Sequence, residues 1–355
     1  RFAARVVADA VAAPVRRRMA ERRTGPALSF ADAARRGLGS GIVDAFYEPY
    51  ARKLWARHGD ELSAELFRRR VSAGSSAAII RKVFARHDRA GFWYPERGFG
   101  SICTALAAAV EGAAGVVSTS SHVRSIEPAE DEVRVTLGDG RSIVTRSLIV
   151  TIPATSLLPM LGAPPAVCAA AGELEFRGAV LVYLTVPRPV YTPFDAHYFP
   201  DASTIVSRLS EPKHYRTSSL DPADRTVLCA EIPATAGDEI WQRDDHALAR
   251  QVADELARLG LPDPLATSWR VERRTHVYPV YRIGHVTHQR VIDEYLDRVP
   301  NVVVVGRQAT FAHDNSHHAL LMGRTVARTL RPDGRIDQPM WHDVRRAFAD
   351  HVVED

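Results

Sequence analysis

One strand–turn–helix segment constrains the fold of this chain more than any other stretch. Val302–Val305 is a run of four β-branched residues, which predicts a strand buried on both faces. Gly306 ends that strand where the backbone must pass close to another group. Asn315 and Ser316 are typical N-cap residues for the apolar helix that follows. Such a unit is either an ordinary buried strand–helix pair or a helix N-terminus that offers free N–H groups to an electron-rich ligand.

The composition narrows the possible classes of protein. The chain has 355 residues, of which 46% are hydrophobic, so it can bury a sizeable core and form two interleaved domains. Its basic residues are almost all arginines, and only Lys53, Lys82 and Lys213 could supply a lysine for covalent catalysis. The net charge of +4 is spread along the chain, which indicates a solvated surface and no nucleic-acid partner.

The cysteines and the hydropathy pattern predict a cytoplasmic protein. Cys103, Cys168 and Cys229 are far apart, odd in number and outside any CxxC motif, which fits a reducing compartment. We expect no signal peptide, and no apolar run in the sequence reaches the roughly 18 residues that a membrane span requires. The chain starts at Arg1 with a pattern that is already helical, so we expect that a natural N-terminal segment is missing.

Hydrophobic periodicity predicts a mixed α/β chain. Residues 1–90 look helical and basic, and the aromatic cluster at residues 46, 47, 50 and 55 favours core packing over a ligand site. A hairpin is expected at Gly138–Arg141, between strands that begin at Glu132 and at Ser142. The other predicted strands are Leu148–Pro153, Ala179–Val186, Ile205–Leu209, Val227–Ile232 and 268–276, and the other predicted helices are Leu62–Ile80, Ser101–Gly112, Ala247–Leu259 and Thr287–Leu296.

Four segments in this order resemble one enzyme family. They are Phe46–Trp55, Tyr94–Gly100, Val123–Pro153, and Val277–Tyr281 combined with Gly306–His318. The set is similar to the FAD-dependent flavin amine oxidase superfamily, in the branch that holds protoporphyrinogen-oxidase-like proteins and UDP-galactopyranose mutases. The resemblance implies an incomplete FAD-binding Rossmann-like domain interleaved with a substrate domain of mixed sheet and helices.

The resemblance also implies roles for individual residues. The strand at Val123 would hold the adenine of FAD through its backbone, and Pro153 would follow the strand that passes the adenosine–pyrophosphate half. Gly306 and Arg307 would form the turn beside the pyrophosphate and ribityl chain. The helix start would turn its N–H groups toward flavin N1 and O2 and stabilise negative charge there; its residues are Asn315, Ser316, His317 and His318.

The implied domains follow the same alignment of segments. Residues 1–92 would be a helical part of the substrate domain and residues 157–295 its sheet and further helices. Residues 93–156 and 296–330 would be the two segments of the FAD-binding domain. Residues 331–355 would form a tail.

Three departures from the family pattern leave alternatives open. No GxGxxG follows a strand, and Gly37–Gly41 has the wrong spacing and lies between predicted helices, so the segment that binds the FAD pyrophosphate is missing. His317 stands where mutases carry an acidic residue. No lysine occurs after Lys213, although many amine oxidases use one near flavin N5.

The histidines near residue 315 permit several interpretations. His313 and His317 have the i, i+4 spacing of helical metal ligands, but Asp314 to Ser316 interrupt the helix between them, so we expect no metal. His318 is a weak candidate for an acid–base group beside the flavin. The alternative is that only the backbone acts here, and no side chain is assigned as catalytic.

Substrate contacts are expected from residues 174–290. Arg208 could bind an anionic group, and Tyr278 and Tyr281 either line the pocket or pack in the core, on opposite faces of a regular strand. The predicted function is an FAD-dependent oxidoreductase that takes a hydride from a small molecule to flavin N5. The alternatives are a UDP-sugar mutase-like flavin isomerase, and a truncated or split flavoprotein chain that is inactive alone.

Overall fold

The computed structural model describes residues 28–71, 93–216 and 218–353. The helix predicted near the N-terminus and the part of Leu62–Ile80 beyond Val71 lie outside these residues. The described chain mixes helices and strands, as predicted, and its two main layers are a helical group and a five-stranded sheet. Within this part of the chain no helix has both the length and the apolar character needed to cross a bilayer.

The five-stranded sheet is antiparallel. Its strands are, in spatial order, β6 (Ala196–Tyr198), β7 (Arg208–Ser210), β8 (Thr226–Ala234), β5 (Phe176–Val186) and β9 (Ser268–Pro279). Its centre is β5 (Phe176–Val186), where side chains alternate between the two faces, so that Ala179 belongs to one core and Val180 to the other. On the Val180 face, helix α8 (Asp245–Arg258) packs its apolar stripe onto the sheet. Each leucine or valine buried in this way contributes about 1.5–3 kcal/mol.

The other face of the sheet carries a helical layer. Helices α1 (Phe30–Leu38) and α3 (Ala64–Arg70) begin where Ser29 and Ser63 accept hydrogen bonds from backbone N–H groups of the first turn. Between them, a π-helical turn (Val43–Tyr47) leads directly into α2 (Glu48–Trp55). The apolar sides of these helices form one core with the start of β5 and the end of β9.

A second, smaller sheet joins two distant parts of the chain. Strand β4 (Leu148–Val150) pairs in parallel with β10 (Val302–Val304), and helix α10 (Ser316–Thr329) follows β10. Parallel strands need a long crossover, and here residues 151–301 provide it. The carboxyl ends of both strands therefore point to the same edge, which is where ligands bind in open parallel sheets.

The remaining elements complete these layers. Strands β1, β2 and β3 form a three-stranded antiparallel sheet, and the hairpin predicted at Gly138–Arg141 is confirmed between β2 and β3. The bounds of the other elements are α4 Ser101–Gly112, β1 Val123–Pro128, β2 Val133–Leu137, β3 Ser142–Thr145, α5 Ala154–Met160, α6 Pro165–Gly172, β6 Ala196–Tyr198, β7 Arg208–Ser210, β8 Thr226–Ala234, α7 Glu239–Gln242, β9 Ser268–Pro279, α9 His285–Leu296 and α11 Gln338–Arg345, with 3₁₀ turns at Pro212–Tyr215 and Arg346–Asp350.

Two predicted strands differ from the structure. The strand expected at Ile205–Leu209 begins only at Arg208, because the preceding loop is held by Glu255, which accepts hydrogen bonds from the Thr204 hydroxyl at 2.6 Å and the Ile205 N–H at 2.9 Å. The strand expected to be fully buried at Leu148–Pro153 ends at Val150, and Ile149 is 43% exposed.

Candidate cofactor and substrate cavity

One cavity of about 930 Å³ lies between the edge of the parallel strand pair and the five-stranded sheet. This volume is at the upper end of the range for ligand sites, which run to about 1,000 Å³. On the strand side it is lined by Pro153, Arg307 and Asn315, and on the sheet side by Arg208 and Tyr278. The structure therefore brings five of the residues singled out from the sequence, separated by up to 162 positions, to one cavity.

The turn after β10 has the backbone that its glycine requires. The Val305 N–H extends the strand pairing by donating to the Val150 carbonyl at 2.9 Å, and Gly306 then has φ of +95°, in the left-handed region that favours glycine. A Cβ at Gly306 would meet Thr151 only at 3.7 Å, which is ordinary contact. Within the protein the positive φ is therefore the reason for this glycine, and a close approach of its backbone to a ligand stays a prediction.

Arg307 ties the strand side of the cavity to the sheet side. Its guanidinium donates to the Asp314 carbonyl at 2.8 Å and to the Val277 carbonyl at 2.8 Å. Burial lowers the pKa of Arg307, and the nearby charge of Arg70 lowers it further. Since both anchoring partners are neutral carbonyls, the arginine keeps its positive charge directed at the cavity.

The start of α10 has the geometry predicted for an N-terminus that can bind a ligand. Asn315 is the N-cap, and its N–H donates to Nδ1 of His318 at 3.1 Å in a reciprocal capping box. In the part of the chain that the structure describes, the N–H groups of Ser316 and His317 meet no acceptor. These two exposed groups begin a 14-residue helix, whose dipole adds partial positive charge at the same place.

His318 occupies a capping position and does not line the cavity. Its Nδ1 accepts the Asn315 N–H, its Nε2 lies 3.1 Å from Nε2 of His317, and its ring stacks on His351 at a centroid distance of 4.4 Å. Its role as an acid–base group beside the flavin stays a prediction, and this arrangement does not favour it.

Asp314, His318 and His351 form a cluster that resembles a set of metal ligands. Their ligand atoms lie within 4.8 Å of one another. However, Nδ1 of His318 already accepts an N–H, and a lone pair used in this way is not free for a metal. Asp314 instead approaches Nδ1 of His351 at 3.3 Å and so holds the C-terminal tail against the start of α10. His313 is fully buried, and burial lowers its pKa well below the usual range, so this imidazole is neutral.

The sheet side of the cavity contains a closed polar network. Glu231 on β8 accepts a hydrogen bond from Arg208 at 2.7 Å and another from the Tyr278 hydroxyl. Arg208 and Glu231 are cross-strand partners, so sheet register places the two charges together. The Glu231 side chain is only 14% exposed, and its charge is neutralised inside the cavity wall.

An aromatic wall completes the sheet side. The rings of Phe46 and Tyr50 stack at a centroid distance of 5.4 Å, and Tyr198 meets Tyr50 edge-on at 6.2 Å. Burial raises the pKa of Tyr50, so that its hydroxyl stays protonated. The sequence analysis favoured core packing for this cluster, and Tyr47, Tyr50 and Trp55 do pack in or against the helical core. These three side chains and Phe46 also line the cavity.

Other predicted site residues lie elsewhere. Tyr281 is buried and donates its hydroxyl to the Phe311 carbonyl at 2.9 Å, so it packs in the core, as one of the two interpretations allowed. Val123 begins β1 and packs among the apolar residues under the three-stranded sheet, away from the cavity. Its contact with adenine stays a prediction.

Sequence reasoning missed three charged residues of the cavity, Arg70, Glu231 and Arg274. The alternation of β8 carries a signal for Glu231, because Leu228, Ala230 and Ile232 face the core and Glu231 therefore faces the other side. No comparable signal distinguishes Arg70 from its neighbours in a run of three arginines.

Comparison with solved structures places this fold among flavoenzymes. Reduced UDP-galactopyranose mutase matches with a TM-score of 0.75 and 19% identity, over 98% of this chain and 73% of that one. A protein assigned as a protoporphyrinogen oxidase, from Exiguobacterium sp. 255-15, matches with a TM-score of 0.61 and 18% identity, over 79% of this chain and 62% of that one. A redesigned triple mutant of putrescine oxidase matches with a TM-score of 0.61 and 15% identity, over 97% and 75%.

At these identities the solved structures establish the fold alone. No curated protein matches the sequence. The family profile described as flavin containing amine oxidoreductase, in contrast, matches residues 7–331, which is most of the chain. This protein therefore belongs to the flavin-containing amine oxidoreductase family, whose cofactor is FAD.

Proposed function

We propose that the cavity holds the flavin of FAD at its strand side and a small-molecule substrate at its sheet side, so that a hydride passes from substrate to flavin N5. The protein is an FAD-dependent oxidoreductase by family, and the proposal assigns the parts of that reaction to residues. When bound, FAD supplies the redox chemistry. The chain supplies position, exclusion of water and electrostatic stabilisation.

The observation that carries the proposal is the shared cavity. Its strand side includes Asn315, the N-cap of α10, and the N–H groups of Ser316 and His317 follow at the start of that helix, where they can hydrogen-bond an electron-rich edge of a flat ring. Its sheet side ends at the aromatic wall and at Tyr278. A substrate held there lies against the ring position without leaving the cavity, which is the proximity that transfer requires.

The residues present fit the part of FAD near the isoalloxazine ring. The left-handed turn at Gly306, the charge of Arg307 and the start of α10 all lie at the carboxyl edge of the parallel strands. No residue in the chain repeats the GxGxxG pattern, so these contacts do not include a glycine-rich pyrophosphate turn. We propose that residues 93–156 and 296–330 form the cofactor-binding part, which the β4–β10 pairing joins.

The test replaces a single N–H group. Ser316→Pro removes the N–H of the first helical residue, a position that accepts proline, and the extended Asn315 (ψ 172°) is compatible with a following proline. We expect the midpoint potential of the bound flavin to fall, because reduced, negatively charged flavin loses one donor. Ser316→Ala keeps the N–H and should leave the potential unchanged. Equal potentials in both variants would contradict the proposed ring position.

The reaction type has its own test. Anaerobic mixing of the FAD-loaded protein with candidate substrates should bleach the flavin absorbance if a hydride is transferred. Turnover that occurs only after prior reduction, without net oxidation, would support the mutase-like alternative, to which the high TM-score of the mutase lends weight. A chain that stays colourless with added FAD would support the alternative of a split flavoprotein.

We also propose a cytoplasmic location, a small-molecule substrate and no nucleic-acid partner. The support is that the three cysteines are free in the structure and that no segment of the described chain can span a membrane as a helix. Fractionation of cells that express the protein tests the location, and recovery in a membrane or secreted fraction would contradict it.

A further inference from the structure

The charges that line the cavity are strongly unbalanced. Among the described residues that line it, the only carboxylate is Glu231, whereas four side chains are guanidinium groups: Arg70, Arg208, Arg274 and Arg307. Arg208 is neutralised by Glu231, and Arg274 donates to Glu272 at 2.9 Å on the outer face. The other two, Arg70 and Arg307, form no ion pair with a carboxylate among the described residues, although the charges of Asp314 and Glu231 act on Arg307 and oppose the effect of Arg70.

The first of these is Arg70, the last residue of α3. Three consecutive arginines end this helix, and each has a different environment. Arg68 is exposed, and Arg69 donates to Glu65 at 2.8 Å and to the Ala349 carbonyl at 3.0 Å. Arg70 is half-buried and lines the cavity, and among the residues that the structure describes it forms no ion pair and no hydrogen bond.

The second is Arg307, which is positioned by two backbone carbonyls. The two guanidinium groups face the same space. Burial lowers the pKa of Arg307 most, and the charge of Arg70 is the next largest cause. Two like charges in a partly desolvated cavity repel each other. Such a pair persists in a fold when an anion compensates it, and the planar arginine fork suits the oxygens of phosphate and carboxylate.

We propose that Arg70 and Arg307 form an oxyanion-binding clamp that takes a phosphate or carboxylate group inside the cavity. The clamp itself does not require hydride transfer, whereas the identity of its natural anion rests on the proposed function. The anion is either part of the substrate or the pyrophosphate of the dinucleotide cofactor. In the first case the substrate class is an anionic small molecule and not a simple cationic amine, which the excess positive charge would repel.

The test measures binding of inorganic pyrophosphate to the flavin-free protein by calorimetry. We expect Arg70→Gln to weaken this affinity by about tenfold, which corresponds to about 1.4 kcal/mol. Arg70→Lys keeps the charge but loses the planar fork, so its affinity for pyrophosphate should lie between those of Arg70→Gln and the unaltered protein. Arg68→Gln is the matched control, because it removes an arginine from the same last turn and therefore also tests any contribution of the helix dipole. It should bind pyrophosphate like the unaltered protein.

Arg70 has no partner among the described residues, so Arg70→Gln should fold, which a thermal melt verifies. Failure of the unaltered protein to bind pyrophosphate, or equal affinities for Arg70→Gln and the unaltered protein, would overturn the clamp. Repeating the titration with the FAD-loaded protein separates the two sources of the anion. Pyrophosphate that still binds assigns the clamp to the substrate, and pyrophosphate that is excluded assigns it to the cofactor. Neither result depends on whether the protein transfers a hydride.

Discussion

The two sides of the cavity differ in how their charges are compensated. On the sheet side, Arg208, Glu231 and Tyr278 satisfy one another within the protein. On the strand side, Arg70 and Arg307 face the same space, and neither forms an ion pair with a carboxylate among the described residues, because Glu231 is paired with Arg208. A closed network contributes to the stability of the fold, whereas uncompensated charge lowers stability and prepares a site for a ligand. We infer from this difference that Arg208, Glu231 and Tyr278 stabilise the cavity wall, whereas Arg70 and Arg307 are placed to bind a ligand.

The largest effect should come from opening the closed network. Glu231→Ala leaves Arg208 and the Tyr278 hydroxyl without their shared acceptor, so we expect the free energy of unfolding to fall by about 3 kcal/mol in urea denaturation. The control is Glu272→Ala, which breaks pairs with exposed arginines on β9 and should cost less than about 1 kcal/mol. Equal losses would show that the network is no more stabilising than a surface pair.

A smaller effect is expected behind the aromatic wall. Lys53 donates to the carbonyls of Phe199 at 2.7 Å and Val206 at 3.0 Å, and so attaches α2 to the loop between β6 and β7. Lys53→Met should lower the free energy of unfolding by about 1–2 kcal/mol. Lys213→Met removes a lysine whose two hydrogen bonds to carbonyls are exposed to solvent, and it should lower the free energy of unfolding by less. The same loss in both variants would contradict a special role for Lys53.

The contribution of Lys53 should also depend on pH. Burial lowers its pKa from 10.5 to about 8 in the folded protein. Between these values the unfolded chain holds more protons, so the stability of the unaltered protein should rise relative to Lys53→Met as the pH increases from 8 to 10.5. Urea denaturation of both proteins across this range measures the difference. A constant difference would mean that Lys53 is not desolvated.

Two tyrosines allow the function of the sheet side to be separated from its stability. Tyr278→Phe and Tyr281→Phe each remove one hydroxyl hydrogen bond and should each cost about 1 kcal/mol of unfolding free energy. Only Tyr278 lines the cavity, so only Tyr278→Phe should change the KM for substrate. A KM change in Tyr281→Phe alone would reverse the assignment of the two side chains.

The smallest effect should appear on the strand side without ligand. Arg70→Gln removes the repulsion with Arg307, so the flavin-free protein should gain about 0.5 kcal/mol of unfolding free energy at low ionic strength. Salt at about 1 M should abolish this gain because it screens the two charges. Arg68→Gln provides the baseline. A loss of stability in Arg70→Gln at low salt would indicate that Arg70 is compensated within the protein.

The sequence predicted the parts of the site that are local in the chain. Four valines, Gly306 and Asn315 specify strand, turn and helix start through propensities that act over a few residues, and the structure confirms all three. The family resemblance is confirmed by the matching profile. Pro153 and Arg208 line the cavity, and their contacts with ligands stay predictions.

The features that were missed depend on geometry beyond local propensity. The π-helical turn at Val43–Tyr47 contains Phe46 and Tyr47, and its geometry departs from the α-helical spacing that the sequence analysis assumed. The pairing of Glu231 with Arg208 depends on the register between β7 and β8, which no local pattern encodes. Arg70 differs from Arg68 and Arg69 only in the direction of its side chain.

The parallel pairing of β4 with β10 also sets an order for assembly during synthesis. The strands of the large sheet all lie between Phe176 and Pro279, so this sheet can form as soon as that stretch has left the ribosome. Strand β4 emerges earlier but has to wait for β10, about 150 residues later, before it gains this partner. The strand side of the cavity is therefore completed later during synthesis than the sheet side.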